Sequence, residues 1–417
     1  MEVMKVFLKW TIGFSCLLLF AASPSKIHIF YTDAGGGHKA TAFALKEELS
    51  RRYPESQIEL IKSSDHVGNF LENARFKSLE KIYTQNLGSP IGRLLNRLYG
   101  DFIICPITQT LEFLSERQIA RLKNGHPLVA FLQQEKPDMI ISTASFINRH
   151  LKTGIEYADL NAPFVVVMSD FDEAQKVMWT NPKDGTHYII RAGATLKNEI
   201  NPKYLYPISG MCIRCAFEPL EHKNYRIFED LNLKIVKPTA LVTFGGYGSQ
   251  EMKDILQFFN NNPNLQGIFI CGTNEKLKEE LSKMANSNSK VLGFVDNMHE
   301  YMQACHVLIG KPGPGIVSEA VITRLPMFLK SGTDLMKQEE GVLSWVLDRR
   351  FGDEWKTFDD FQKNYGKILM QLPKFKKNLE RHPGKNPTVE AVDHIDKIYQ
   401  ELSPEIPQAR VANYTFY

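Results

Sequence analysis

The chain has 417 residues, more than one hydrophobic core usually serves, and its 43% hydrophobic and 23% charged residues are those of a globular protein of two domains. A formal net charge of +3 excludes wholesale nucleic-acid binding and leaves only local basic patches, near Arg51 and Arg52 and in KFKKNLER at 374–381. Six cysteines in so long a chain form no disulfide framework, and the one CxxC, Cys212 to Cys215, has no second Cys or His pair at zinc-like spacing.

Residues 1–25 form a hydrophobic leader. Lys5 and Lys9 precede TIGFSCLLLFAAS, which has the length of a signal-peptide core and is short for a membrane span. A cleaved signal, an uncleaved anchor and a targeting segment all fit. Strand-like runs then alternate with helix-period segments: IHIFYT (27–32), a helix over 40–52, QIELIKSS (57–64), and a long helical region over 66–134, broken near Gly88-Ser89-Pro90 and Cys105-Pro106. PDMIISTAS (137–145), APFVVVMSD (162–170) and THYIIRA (186–192) follow as buried strands. After a polar stretch near 218–238 the alternation resumes. Strands are expected at 238–246, 266–272, 290–295, 306–311 and 325–330. Helices are expected near 249–260, 274–286, 298–304 and 315–324, with a terminal helix near 387–402. The expected architecture is two doubly wound α/β domains, 26–217 and 218–385, with a C-terminal helix and tail over 386–417. Ligands would lie beyond the carboxyl ends of the strands.

Two glycine-rich corners carry the chemistry. In IHIFYTDAGGGHKA the loop DAGGGHK, with Gly36 and Gly37, is expected between strand and helix, and His38 sits at the helix mouth with Asp33 five residues before it. A helix start offers free N–H groups to an anion, and an imidazole oriented by a carboxylate serves as general base near neutral pH. A tight βα turn with a surface histidine fits the local pattern equally well. HVLIGKPGPGIVSEA (306–320) runs strand, loop, helix. Pro312, Gly313, Pro314 and Gly315 would let a diphosphate rest on the backbone, and Glu319, one turn in, can accept two hydrogen bonds from a ribose. TFGGYGS closes another strand with Gly245, Gly246 and Gly248, and KQEEGV places Gln338 and Glu339 where sugar hydroxyls can be read. Neither a Walker loop nor a full GxGxxG fingerprint is present.

In order, TDAGGGHKATA, GMCIRCAF, TFGGYG, FICGTNEKL, GFVDNMHEYMQA, KPGPGIVSEA and QEEG resemble the monogalactosyldiacylglycerol synthases. These group with the bacterial diacylglycerol glucosyltransferases and the peptidoglycan-precursor N-acetylglucosaminyltransferase. The resemblance covers 26–400 and is most specific over 291–341. It implies a GT-B fold and an inverting, metal-free transfer of a hexose, galactose first, from a UDP-sugar to diacylglycerol, with no cofactor. His38 then matches the catalytic base. The stretch Gly293, Phe294, Val295 to Met298 matches the uridine contact, Gly313 and Gly315 the diphosphate loop, Glu319 the ribose ligand, and Gln338 and Glu339 the donor-sugar contacts. Gly245, Gly246 and Gly248 match the glycine loop that faces the cleft.

The sequence departs from the pattern on the acceptor side. VMSDFDEAQKVMWTN keeps Asp170 and Trp179 without the histidine between them, and GMCIRC has cysteines where prolines are usual. Another lipid or a polyprenyl-linked sugar as acceptor, a UDP-sugar epimerase, and a silent lipid- or nucleotide-binding relative are the alternatives. Diacylglycerol implies a membrane surface, including anionic lipid, as partner. The segment 66–110 is either an amphipathic lipid-facing surface or a helix pair on the sheet.

Overall fold

The structure, a computed structural model, describes residues 23–32, 36–66, 105–145, 147–171, 179–180, 185–192, 200–220, 222–223, 225–332, 335, 337–382 and 385–402. Residues 1–22 of the leader, Asp33 and most of 66–110 therefore lie outside the described residues.

The first lobe runs β1 (Lys26–Tyr31), α1 (Gly36–Arg52), β2 (Gln57–Lys62), α2 (Ser63–His66), α3 (Cys105–Leu122), α4 (Pro127–Glu135), β3 (Met139–Ser142), α5 (Asn148–Tyr157), β4 (Phe164–Val167), β5 (Thr186–Arg191) and β6 (Leu205–Ile208). Its sheet has the order β2-β1-β3-β4-β5-β6 and is parallel throughout. Ile27, Ile29, Ile141, Val165 and Val167 face one layer of helices, and Phe30, Ile140, Phe164 and Val166 face the other. Burial on both faces is why these strands read as unbroken apolar runs.

The second lobe runs α6 (Arg226–Asp230), β7 (Thr239–Thr243), α7 (Glu251–Asn260), β8 (Gln266–Ile270), α8 (Glu275–Met284), β9 (Ser289–Leu292), α9 (Met298–Ala304), β10 (Val307–Gly310), α10 (Pro314–Ile322), β11 (Met327–Lys330), α11 (Lys337–Asp348), β12 (Gly352–Trp355) and α12 (Phe358–Glu380). Its parallel sheet has the order β12-β11-β10-β7-β8-β9. α13 (Pro387–Leu402) returns to the first lobe, where Ala391, Val392, Ile395 and Ile398 join the core beneath α1.

Three elements differ from the sequence reading. Both β6, LYPI, and β12, GDEW, are edge strands. A proline and two carboxylates suit a sheet edge but hide the strand from an apolar pattern. α12 carries Pro373 in its interior and starts on a capping box, Thr357 with Asp360.

The lobes meet at the hinge 209–215. Met211 N–H donates to Ser318 Oγ at 3.0 Å, Ile213 N–H to Thr388 Oγ1 at 2.8 Å, and Ser209 N–H to Glu390 Oε2 at 2.6 Å. Phe171 of the first lobe packs edge-on against Trp345 of the second, centroids 5.2 Å apart. Arg51 and Arg52, read from sequence as a basic patch, are largely consumed internally. Arg51 pairs with Glu48, and Arg52 pairs with Asp393 at 2.6 Å, which ties α13 to α1.

Candidate active site

In each sheet the chain first builds outward in one direction and then returns to build on the other side. The first switch point lies between β1 and β3, the second between β7 and β10. Loops leaving such neighbouring strands diverge and open a crevice at the carboxyl edge. His38 follows β1, and KPGPG follows β10.

α1 begins at Gly36, four residues before the expected start at Ala40, so Gly36, Gly37 and His38 form its first turn rather than a loop. Glycine's low helix propensity misleads the sequence reading, because first-turn residues need no intrahelical N–H partner. A Cβ on Gly36 or Gly37 would meet nothing within 4 Å, so these backbones stand open to a ligand.

The His38 side chain is buried. Its Nδ1 lies 2.9 Å from the Thr143 carbonyl, across the switch point at the end of β3. A carbonyl only accepts, so Nδ1 carries the hydrogen and Nε2 keeps the lone pair. Ser169 Oγ stands 2.9 Å from the same nitrogen and shares that hydrogen. Thr143 Oγ1 donates back to the His38 carbonyl at 3.0 Å.

Behind the ring is Trp179, fully buried, with its centroid 5.5 Å from the imidazole. Its indole N–H donates to Asp170 Oδ2 at 2.9 Å, and Asn148 Nδ2 donates to its carbonyl at 3.0 Å. The structure thus gathers His38, Asp170 and Trp179 in one cluster, with Trp179 as a wall behind the imidazole. Asp33, expected to orient His38, lies outside the described residues; among those described, the Thr143 carbonyl and Ser169 hold Nδ1.

On the other lobe, Gly313 is the N-cap of α10 and Pro314 its first residue, as the asymmetry of helix ends favours. A Cβ on Gly315 would point into open space, so packing does not require glycine there. Gly245 has φ +80°, left-handed backbone, and its α-carbon backs onto the Lys311 stem, with a Cβ placed 3.3 Å from Lys311 Cε. Gly246 and Tyr247 are fastened from below, because Thr273 N–H and Asn274 Nδ2 donate to their carbonyls at 2.8 and 3.0 Å. Gly248 instead lies against Leu277.

Glu319 sits on α10 with partial exposure, closely ringed by protein. Burial pushes its carboxyl up to about 7, while the Arg214 guanidinium pulls it down. Arg214 Nη2 donates to the Asp296 carbonyl at 2.6 Å, tying the hinge to the 293–298 loop. In that loop Phe294 is 71% exposed, whereas Val295 and Met298 are partly buried against the core. Glu339 is buried and paired with Lys311 Nζ at 2.7 Å. Gln338 belongs to the first turn of α11, its side chain outside the described residues. Pro312 is buried beneath the loop.

Sequence reasoning missed Thr143, Ser169, Lys311 and Arg214 as site residues. Thr143 and Ser169 carry a faint signal, small polar residues just past apolar strands. Two other groupings carry no site. Burial pushes the thiols of Cys212 and Cys215 up to about 12, and Cys215 Sγ donates to Glu48, so the CxxC is neither reactive nor paired. His28, Glu59 and Glu135 bring three ligand atoms within 4.8 Å of one another, but Lys26 Nζ, 2.7 Å from Glu135, already supplies the cation there.

α1, which carries His38, and α10, which follows KPGPG, approach each other closely, with Cα atoms within 8 Å. Two parallel-sheet lobes joined by a hinge, with facing switch points and a returning C-terminal helix, define the GT-B class. More particularly, residues 239–329 match the glycosyltransferase family 28 C-terminal domain. A processive diacylglycerol beta-glucosyltransferase of Staphylococcus saprophyticus is 31% identical over 211 residues, 48% of this chain and 51% of the relative. The chain thus spans about half the length of the curated relatives it matches. Among solved structures, MurG of Acinetobacter baumannii superposes with a TM-score of 0.54 at 13% identity, over 90% of this chain and 100% of that one. A UDP-N-acetylglucosamine 2-epimerase does so with 0.52 at 9% identity, over 91% and 98%. These structural likenesses establish the fold alone.

Proposed function

We propose that the protein transfers a hexose from a UDP-sugar to the hydroxyl of diacylglycerol with inversion at the sugar carbon. The observation that carries this reading is the contact of His38 Nδ1 with the Thr143 carbonyl at 2.9 Å. With Nδ1–H spent on the Thr143 carbonyl, Nε2 is left as a base that can take the acceptor's proton. The leaving UDP gains negative charge, which the amides at the start of α10 are oriented to stabilise without a metal. Gly293 to Met298 would hold the uridine, Glu319 the ribose, and Gln338 and Glu339 the hexose. The resemblance in sequence puts galactose first, whereas the matched relative's name speaks for glucose. The two differ in the orientation of one hydroxyl.

The epimerase alternative shares the fold but needs acidic residues poised for elimination, whereas the group held at the first switch point among the described residues is an imidazole. A silent relative would have no need to keep a histidine in a defined tautomer. The reading also places the first lobe on a membrane. No helix among the described residues is long and apolar enough to cross one. On α3, Phe113 and Leu114 are exposed, with the Arg117 guanidinium 4.5 Å above the Phe113 ring, a pairing suited to an interface with anionic lipid.

The test is UDP release from UDP-glucose and UDP-galactose, with and without diacylglycerol vesicles. Lipid-dependent release is expected, and His38→Ala should lower it by about 10²–10⁴-fold while UDP binding persists. Near-normal turnover of His38→Ala would remove the imidazole from the reaction.

A further inference from the structure

Lys311 is an odd residue to find at this corner. It stands directly after β10 and three positions before the first residue of α10, where the partial positive charge of a helix start disfavours a cation. Its stem is nonetheless seated against the α-carbon of Gly245, from the loop after the neighbouring strand β7, so it spans both sides of the second switch point. Its own carbonyl accepts the Gly313 N–H at 2.9 Å, which ties its position to the glycine loop. The Lys311 side chain is 29% exposed, and its ammonium pairs at 2.7 Å with Glu339, whose side chain is almost wholly buried.

Glu339 has a second source of support. It is the third residue of α11, where that helix's free N–H groups and positive end stabilise a carboxylate. The charge on Glu339 therefore does not depend on Lys311 alone. Lys311, by contrast, faces two helix starts and is paired with the Glu339 carboxylate. A diphosphate lying on the α10 start would bring two negative charges to the side of the ammonium that is open.

Building on the function proposed above, we infer that Lys311 is a movable counter-charge. It exchanges Glu339 for the diphosphate of the sugar nucleotide, and the released Glu339 carboxylate accepts hydrogen bonds from the hexose hydroxyls. The exchange couples the two halves of the donor. Binding the diphosphate frees the group that reads the sugar, so a nucleotide lacking phosphate leaves Glu339 engaged. The ammonium also stays beside the bridging oxygen as the glycosidic bond breaks and the electron pair passes to UDP.

The experiment compares binding of UDP and uridine by calorimetry in the full chain. Lys311→Met keeps the stem against Gly245 and removes the charge. UDP affinity should fall by about 10–100-fold with uridine affinity unchanged, because a charge-assisted bond to phosphate is lost and nothing at the base or ribose is. Glu339→Gln should tighten UDP several-fold, since the ammonium is no longer held back, and should abolish discrimination between UDP-glucose and UDP. Lys311→Met leaves a buried carboxylate without its cation and risks the fold, so the neutral pair Lys311→Met/Glu339→Gln is measured alongside. It should melt near the wild type and match the weak UDP binding of Lys311→Met. Equal losses for UDP and uridine, or a Glu339→Gln variant that binds UDP more weakly, would make the pair a structural ion bridge and overturn the inference. Failure of the wild type to bind UDP at all would instead overturn the function on which it rests.

Discussion

Glu319 offers a test that reads the donor site through a proton. Its carboxyl is raised from the usual 4.5 to about 7, chiefly by burial, against the opposing pull of Arg214. If the carboxylate accepts hydrogen bonds from ribose hydroxyls, only the ionised form binds well, and binding expels a proton from the fraction still protonated. The ionised fraction is about one in eleven at pH 6 and about ten in eleven at pH 8 for a group titrating near 7. Affinity should therefore rise about tenfold between those two values, some 1.4 kcal/mol, and level off above them.

The suitable ligand is an intact UDP-hexose without acceptor, because both phosphates are esterified and do not titrate in this range. Calorimetry in buffers of different ionisation enthalpy should report release of about 0.9 proton per site at pH 6 and about 0.1 at pH 8. Glu319→Gln should bind with no pH dependence over the same interval. Replacing Arg214 by Met removes the positive charge that lowers the carboxyl and should move the transition to higher pH. A wild-type affinity that is flat from pH 6 to 8 with no proton release would show that Glu319 does not meet the nucleotide as a carboxylate.

Two further outcomes separate site from scaffold. Gly315→Val should leave the melting temperature close to wild type, because the new side chain projects into open space, yet weaken UDP at least tenfold by occupying the diphosphate's approach. Gly310→Ala is its counterpart: a Cβ there would stand 2.0 Å from the Thr243 carbonyl, so loss of about 3 kcal/mol or more of stability is expected by chemical denaturation. Equal thermal losses for both variants would place Gly315 in the packing instead. Trp179→Phe removes the donor to Asp170 and should cost about 1.5–3 kcal/mol, with a lower turnover as the wall behind His38 loosens. Unchanged turnover in a destabilised Trp179→Phe protein would confine that residue to folding.

Local pattern sufficed for the interior of this protein. The central strands are short apolar runs because parallel strands are buried on both faces, and the helices between them carry their own periodicity, so the two doubly wound lobes were legible from residues alone. So was KPGPG at a helix start, since proline and glycine impose their backbone wherever they stand. The edge strands were not, because LYPI and GDEW become strands only by pairing with β5 and β11.

The site itself was decided by tertiary structure. The imidazole acquires its tautomer from a carbonyl 105 residues away, and Trp179 is held beside it by bonds to Asp170 and Asn148. Lys311 meets Glu339 across 28 residues of chain because β10 ends and α11 begins at the same sheet edge. Charge, proton position and burial depend on what stands across a crevice, and neighbours in space at a switch point are distant in sequence.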